Sequence, residues 1–419
     1  MAKVLISFLG TGRIKNDASK REYEPTKYRI DNKDYECTFV SVALRKHLNI
    51  EKMMLVGTAH SMWEDVYREY AGEDDIWLKI GEECSINNHA SPLEIPHKED
   101  IESAMGGGSK VVLVKYGFTQ EEIKENSEII LGLESSLEKG DELFVDITHS
   151  FRSLPLFIMN LLIYLRDVSP KKVKISGIYY GMLEAYKDLH YAPIVNLNEV
   201  LNVNSWISGA YSFMEFGNAY KIAELVKSID GKLSNSLVKF SETKNLNHLS
   251  ALEQQSVELG CILKNNNGLP PIAQMLIPPV IGDFVKRLSV DINNPYRHSK
   301  FQNKLARWQF NNKNYLASYI SLTEAIITYL AEQYQERMEV DIDVYDKDER
   351  DAIKDKIKGT QICISQQWKE LYRKVSFKRN ALAHNLKKDP KNPQSGITQS
   401  FIDSLKNYLG EYDKLVQNS

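Results

Sequence analysis

The stretch Asp146-Ile147-Thr148-His149-Ser150-Phe151-Arg152-Ser153-Leu154-Pro155 indicates the fold of the N-terminal half, because a strand ends in it and a helix begins. An apolar strand is predicted over 142–147. Ser153 is a favourable N-cap residue, and Pro155 suits the first turn of a helix. A strand that leads through a short polar turn into a helix is typical of α/β proteins.

The same alternation of strands and helices extends along the first 200 residues. Apolar strands rich in Val, Ile and Leu are predicted over 3–9, 52–56, 110–116, 142–147 and 173–180. Helices are predicted between them, over 38–47, 61–70, 119–133 and 154–167. Continuous apolar strands are typical of a sheet that is buried on both faces. The pattern therefore predicts a Rossmann-like α/β domain with a mainly parallel sheet over 1–200.

After about residue 200 the pattern is helical throughout. Helices are predicted over 213–229, 246–264, 272–290, 315–337, 362–386 and 400–416. The 315–337 helix has Tyr319, Leu322 and Ile326 at helical intervals, which is typical of a helix in a core. We expect an all-helical linker region over 201–300 and a separate helical domain over 301–419.

Two polar segments that follow predicted strands favour the binding of a phosphate or a nucleotide. The first segment, 10–13, has two glycines that let the backbone approach a ligand. The second segment, 148–152, places several donors at a helix N-terminus, which attracts anions. Ligands of open α/β sheets bind at the carboxyl ends of the strands, where both segments fall. The last strand ends there too, in a tyrosine that offers a ring to a base. The predicted ligand-binding residues are Gly10, Thr11, Gly12, Arg13, Thr148, His149, Ser150, Phe151, Arg152, Tyr180 and Gly181.

Both segments also have a simpler interpretation. A Gly-x-Gly turn such as 10–12 is more often a plain tight turn than a ligand site. The 148–152 segment can equally be a capped turn whose polar groups satisfy one another.

The C-terminal half contains a candidate catalytic set, Arg379, Asn380 and His384, near the end of the predicted 362–386 helix. Asn380 and His384 are four residues apart and share a helix face, and the guanidinium of Arg379 suits a phosphate. Histidine is the side chain whose ordinary pKa lies nearest neutrality, so it can move protons. Such a set can cleave RNA without a metal. A histidine beside an arginine on a helix surface is, however, more often simply solvated.

Bulk properties narrow the class of protein. A length of 419 residues predicts two or three domains. The net charge is -3, but the segment 368–391 is basic, with eight Lys or Arg against two acidic residues. The four cysteines form no CxxC pair, which argues against structural zinc and disulfides. The longest apolar stretch, 154–165, is too short to span a bilayer. We expect a cytoplasmic protein that needs no metal.

With these motifs in place, the chain resembles the ancillary ribonucleases of type III CRISPR systems, which join an N-terminal CARF domain to a C-terminal HEPN domain. The 146–155 segment is similar to the signature Asp-x-Thr-His-Gly-Phe-Arg-Ser-x-Pro of one Csx branch, with Ser150 in place of the usual glycine. The 379–384 segment is similar to the HEPN motif Arg-x4–6-His in its Arg-Asn form. The 308–330 stretch also resembles the HEPN helix that packs against the catalytic one.

The resemblance implies an allosteric enzyme. A CARF homodimer binds a cyclic oligoadenylate, tetra-adenylate being favoured over hexa-adenylate, and this activates cleavage of single-stranded RNA in paired HEPN domains. No cofactor beyond this activator is implied. Two other functions stay open: a CARF domain that degrades its own cyclic activator, and a ligand-responsive binding or regulatory protein with an inactive helical half.

Overall fold

The structure, a computed structural model, describes residues 1–14, 21–150, 153–264, 268–359, 364–384 and 394–418. The chain divides into two compact units, Met1–Asn202 and Val203–Ser419, called here the N-terminal unit and the C-terminal unit.

The N-terminal unit alternates strands and helices, as the apolar pattern predicts. Its strands are β1 (Lys3–Leu9), β2 (Arg13–Ile14), β3 (Arg21–Glu22), β4 (Thr26–Ile30), β5 (Lys33–Cys37), β6 (Lys52–Gly57), β7 (Lys110–Leu113), β8 (Glu142–Asp146), β9 (Lys174–Gly181) and β10 (Ala192–Asn196). Its helices are α1 (Val40–Leu48), α2 (Trp63–Ala71), α3 (Asp75–Ile86), α4 (Lys98–Met105), α5 (Gln120–Gly132), α6 (Leu154–Asp167) and α7 (Tyr186–Leu189).

Within the described residues, eight of these strands form one sheet in the order β5-β4-β10-β9-β8-β1-β6-β7. The strands from β9 to β7 in that order run parallel to one another, whereas β10 is antiparallel to β9 and β5 is antiparallel to β4. The predicted Rossmann-like, mainly parallel sheet is therefore confirmed, with an antiparallel extension at one side. The short strands β2 and β3 pair separately.

The sheet is buried on both faces, and β1 shows why its sequence reads as a continuous apolar run. Leu5 and Leu9 point into the core on one face of the sheet, while Val4, Ile6 and Phe8 point into the core on the other. Successive side chains of a strand alternate between faces, so a strand covered on both sides needs apolar residues at nearly every position.

Three strands of this sheet, β4, β5 and β10, were not predicted from the sequence, and the length of β7 was overestimated. The β4–β5 hairpin turns at Asp31 and Asn32, both with positive φ, and its strands are too polar to stand out as apolar runs. The strand predicted over 110–116 ends at Leu113. Its extension is prevented because the Asn126 side chain takes both the N–H and the carbonyl of Lys115, which a neighbouring strand would need.

The C-terminal unit is helical in the described residues. Its helices are α8 (Glu199–Phe216), which starts at the end of the N-terminal unit, α9 (Tyr220–Val226), α10 (Gly231–Asn245), α11 (Leu249–Leu263), α12 (Pro271–Ile277), α13 (Asp283–Leu288), α14 (Arg297–Asn311), α15 (Tyr315–Met338), α16 (Lys347–Lys358), α17 (Gln366–His384) and α18 (Gln394–Gln417). A π-helical turn, Pro278–Gly282, joins α12 to α13.

The prediction of one helix over 213–229 is wrong, because the chain breaks between α8 and α9. Gly217 has a φ of 64°, which an L side chain rarely adopts, and a Cβ there would lie 2.4 Å from the Trp308 ring. The Lys244 ammonium donates to the carbonyl of Phe216, the last residue of α8. The helix therefore ends at a capped C-terminus rather than continuing.

One core of the C-terminal unit joins α15, α17 and α18. Tyr329 of α15 stacks on Trp368 of α17, with ring centroids 4.9 Å apart, and Tyr412 of α18 meets the edge of Trp368 at 5.4 Å. The α17 helix is thus anchored at its N-terminal half.

Among the described residues, none of the helices combines the length and the apolar character needed to cross a bilayer.

Candidate functional site

The N-terminal candidate site lies where the order of the strands reverses. From β1 the chain adds β6 and β7 on one side of the sheet and then β8 and β9 on the other. The crevice at the carboxyl ends of β1 and β8 is therefore a topological switch point, where open α/β sheets bind ligands. The predicted segments 10–13 and 148–152 follow these two strands.

A fully buried carboxylate, that of Asp146 at the end of β8, organises this crevice. Its Oδ2 accepts a hydrogen bond from the Ser7 hydroxyl of β1 at 2.6 Å. Its Oδ1 accepts from the Thr148 hydroxyl at 2.5 Å and from the Thr148 N–H at 3.0 Å. Burial of a charge is tolerated where several donors stabilise it, so this network holds the turn after β8 in one conformation.

Thr148 connects that carboxylate to the end of β9. Its hydroxyl gives its only proton to Asp146 and accepts the Gly181 N–H at 2.8 Å. A Cβ at Gly181 would lie 2.6 Å from the Val40 side chain and 3.4 Å from Thr148, so the close approach requires glycine. Within the crevice the Thr148 hydroxyl is therefore a positioning group that keeps one lone pair for a ligand.

Gly10 brings the turn after β1 against the turn after β8. A Cβ at this position would lie 3.3 Å from the His149 carbonyl and 2.5 Å from the Tyr23 hydroxyl. The Gly10 carbonyl accepts the Met62 N–H at 3.1 Å. Gly12 has a φ of 75°, so the turn depends on both glycines.

His149 is packed between aromatic rings rather than pointing freely into solvent. Its ring lies 5.1 Å from that of Tyr23 and 6.2 Å from that of Phe39, both edge-on. Its Nε2 is buried and has no hydrogen-bond partner among the described residues. Burial lowers the pKa of His149, and the nearby charge of Asp146 opposes that shift in part.

The other predicted ligand residues differ in how they are placed. The Ser150 hydroxyl donates to the Ile147 carbonyl at 2.9 Å, which closes the turn locally, and Thr11 lies between the two glycines of the first turn. The Tyr180 hydroxyl donates to Glu184 at 2.7 Å, and burial with this bond raises its pKa to about 12. Phe151, Arg152 and the side chain of Arg13 lie outside the described residues.

The helix that follows the 148–152 segment begins close to where the sequence predicts. Ser153 occupies the N-cap position of α6, but its side chain accepts no capping hydrogen bond within the described part of the chain, because its backbone is already helical. Pro155 lies in the first turn, as expected. First-turn N–H groups that no side chain caps are suited to an anion.

The second candidate site lies on α17. Trp368, Leu371 and Val375 form the buried stripe of this helix, and Arg379 continues the stripe by one more turn. Its side chain is half-buried, and its Nε has no hydrogen-bond partner among the described residues. Arg379 therefore lies on the side of the helix that faces the core.

Asn380 lies about 100° further around the helix and is exposed. It shares this solvent face with Phe377, three residues earlier, and position 384 continues the face by helical spacing. The side chain of His384 lies outside the described part of the structure. The structure thus separates the Arg379 side from the Asn380 side of α17 within one chain.

Several residues that shape the N-terminal site were not selected from the sequence. Asp146 begins the polar segment after β8, and an acidic residue at the end of an apolar strand is a signal that such a residue organises the turn. Ser7 is a single polar residue within the apolar run of β1, which is a similar signal. Nothing local marks Tyr23 or Phe39, because only the fold brings them to His149.

Comparison with known proteins matches two family models. Residues 4–184 match the CARF domain of the CRISPR system endoribonuclease Csx1. Residues 202–295, for which the sequence suggested no relative, match the second domain of the CRISPR-associated protein MJ1674. The CARF domain predicted in the N-terminal half is thereby confirmed, while the HEPN assignment of 301–419 stays a prediction.

Two of the similarities span nearly the whole chain, one with a curated protein and one with a solved structure. The CRISPR-associated protein MJ1674 of Methanocaldococcus jannaschii is 32% identical over 444 residues, which covers 100% of this chain and 68% of that protein. The structure of Enterococcus italicus Csm6 bound to cyclic hexa-2'-fluoro-hexa-dAMP covers 99% of this chain and 95% of that one, at 11% identity and a TM-score of 0.37. A TM-score this low does not establish a shared fold.

Proposed function

This chain belongs to the family of the CRISPR-associated protein MJ1674, and we propose that it is a ribonuclease whose activity is switched on by a cyclic oligoadenylate bound to its CARF domain. The observation that carries the proposal is the exposure of Asn380 on the solvent face of α17, next to Arg379, whose Nε has no hydrogen-bond partner in the described part of the chain. The Asn380 side chain likewise makes no hydrogen bond to another described residue.

The ligand half of the proposal concerns the crevice between β1 and β8. A cyclic oligoadenylate offers phosphates to the glycine turn at 10–12 and to the N-terminus of α6. The network of Ser7, Asp146 and Thr148 would keep these two elements in place before the ligand arrives. Tetra-adenylate is the first ring to test and hexa-adenylate the second.

The chemical half concerns RNA cleavage by its own 2′-hydroxyl. That hydroxyl attacks the adjacent phosphate, the bond to the 5′ oxygen breaks, and the products carry a 2′,3′-cyclic phosphate and a 5′-hydroxyl. His384 moves a proton between the two oxygens, and Arg379 stabilises the charge on the phosphate. Asn380 positions the phosphate or the imidazole.

One chain supplies one arginine and one histidine, and helical spacing puts positions 379 and 384 about 140° apart around α17. A second copy related by a two-fold axis would bring a second set to the same phosphate, so a homodimer with a composite site is part of the proposal. The exposed apolar Phe377 on the Asn380 face gives such a contact an anchor.

The test compares cleavage and ligand binding in the same protein. We expect His384→Ala to reduce RNA cleavage by roughly 10²–10⁴-fold, the usual worth of general acid–base help, while the affinity for cyclic tetra-adenylate stays unchanged. Cleavage is measured with labelled single-stranded RNA and affinity by calorimetry. Cleavage should persist in EDTA.

Arg373→Ala is the matched control, since it removes an exposed arginine from the same helix. It should leave kcat unchanged and affect RNA affinity at most slightly. Full cleavage by His384→Ala, or loss of cleavage in EDTA, would reject the catalytic assignment. If no cyclic oligoadenylate of any size alters the rate of RNA cleavage, the ligand assignment is rejected.

A further inference from the structure

Three aromatic rings meet at the carboxyl edge of the sheet, outside the segments described above. The Phe118 ring lies 5.5 Å from that of Tyr116 and 5.4 Å from that of His89. These three residues are called the aromatic platform. Phe118 is 68% exposed, so its ring is accessible to a partner.

The loop that holds Tyr116 and Phe118 is fixed by hydrogen bonds from side chains of α5. The buried side chain of Asn126 accepts from the Lys115 N–H and donates to its carbonyl, both at 2.8 Å. One Glu122 oxygen accepts the N–H of Gly117 at 3.0 Å and of Phe118 at 2.8 Å. The Glu122 N–H in turn donates to the Thr119 hydroxyl, so the N-terminus of α5 is capped on both sides.

The loop that carries His89 is held separately. The Asn87 amide donates to the Ala59 carbonyl in the turn after β6, and the Asn88 side chain accepts the Ala90 N–H. Two independently fixed loops therefore present the aromatic platform. An exposed ring whose backbone is already ordered loses little conformational entropy on binding, which favours a recognition role over chance exposure.

The position of the platform relates it to the proposed ligand crevice. It follows β7, which runs parallel to β6 and β1, so its loop emerges at the same edge as the 10–12 turn. Two strand spacings separate β7 from β1, about 10 Å across the sheet. The sugar and base of one nucleotide cover such a distance when its phosphate lies at the glycine turn.

We propose that the aromatic platform stacks an adenine base of the cyclic oligoadenylate, with Phe118 as the stacking ring; this rests on the function proposed above. Two members of the platform, Tyr116 and Phe118, are rings without charge, and the nearby Lys115 ammonium is paired with Glu125 at 2.9 Å. It therefore suits a base and not a phosphate. Stacking is tolerant of base identity, so the platform contributes affinity. The crevice between β1 and β8 positions the cyclic oligoadenylate.

The experiment measures binding of cyclic tetra-adenylate and of the same ring with one 2-aminopurine, whose fluorescence is quenched by stacking. Phe118→Ala should weaken binding by roughly 5- to 150-fold, the usual range for one stacked base. It should also remove the quenching. Phe118→Trp should restore both, which a merely structural role of the position would not predict.

Val168→Ala is the matched control, because Val168 is 70% exposed in the same unit but follows the C-terminus of α6. It should leave affinity and quenching unchanged. Wild-type binding that Phe118→Ala does not weaken would overturn the platform alone. A change in sedimentation of Phe118→Ala without a change in affinity would overturn it too, in favour of a contact with a second copy. Failure of the wild type to bind any ring would overturn the proposed function together with the platform.

Discussion

The two candidate sites differ in how much of their chemistry is held in place within one chain. In the N-terminal unit, Asp146 is buried and its oxygens accept three hydrogen bonds, so the turn after β8 has a defined conformation without a ligand. On α17, Asn380 is exposed and makes no hydrogen bond to another described residue, and the Arg379 Nε has no partner there either.

This difference suggests that the two candidate sites work in different ways. A site built from buried, hydrogen-bonded groups can recognise a ligand as soon as it arrives, because little has to be ordered on binding. A helix with functional groups on two of its sides, only one of which faces the core, needs a further surface to bring them together. The N-terminal site is pre-organised, whereas our proposal is that a second copy of the chain completes the α17 site.

The largest expected effect comes from removing the pre-organising carboxylate. Asp146→Ala leaves the hydroxyls of Ser7 and Thr148 without their acceptor, and hydrogen bonds to charged groups are worth about 1.5–3 kcal/mol each. We expect the free energy of unfolding of the N-terminal unit to fall by about 2–4 kcal/mol. Binding of cyclic tetra-adenylate should be lost. Denaturant titration and calorimetry measure the two effects.

Asp146→Asn is the matched variant, because it keeps the shape and one acceptor oxygen but replaces the other oxygen with an NH2 group, which can only donate. Its effects should be intermediate. If Asp146→Ala binds the ring as tightly as the wild type, the contrast between a pre-organised site and an incomplete one fails.

A smaller effect is expected on the α17 side of the comparison. Phe377 is 70% exposed, so Phe377→Ser should change the stability of a single chain by less than about 0.5 kcal/mol. If the exposed face pairs with a second copy, RNA cleavage should fall about tenfold at low protein concentration and recover at high concentration, by mass action. Sedimentation and cleavage assays across a concentration series measure this.

Leu246→Ser controls for loss of an exposed apolar residue, since Leu246 is 77% exposed in the same unit and lies at the end of α10. It should alter neither assembly nor cleavage. Unchanged cleavage by Phe377→Ser at every concentration would mean that this face of α17 is not where the second copy binds.

The smallest effect concerns pH. Burial lowers the pKa of His149 in the folded protein. Below the ordinary histidine pKa of about 6.5, His149 is therefore protonated in the unfolded chain but stays neutral in the folded protein until the pH falls further. Stability of the N-terminal unit should therefore fall as the pH drops below that value. Thermal unfolding at pH 7.5 and at pH 5.5 should show a larger loss for the wild type than for His149→Gln. Equal losses would show that His149 is not buried in its neutral form.

Parts of the fold and of the site could be predicted because their signals are local. The strands β1, β6, β8 and β9 show as continuous apolar runs, since both faces of the sheet are covered. The end of β7 at Leu113 could not be predicted from the sequence. The strand is ended by the side-chain amide of Asn126, which lies more than ten residues away in the chain. The break at Gly217 depends on Trp308 and Lys244 in the same way.

For the candidate sites, the amino-acid sequence alone determined that polar segments follow β1 and β8 and that Asn380 and His384 share a helix face, because strand ends and helical periodicity are properties of neighbouring residues. Only the tertiary structure decided that Thr148 gives its proton to Asp146, that His149 is enclosed by Tyr23 and Phe39, and that Arg379 faces the core. Hydrogen bonding and burial depend on partners that are distant in the chain, and these exist only once the chain has folded.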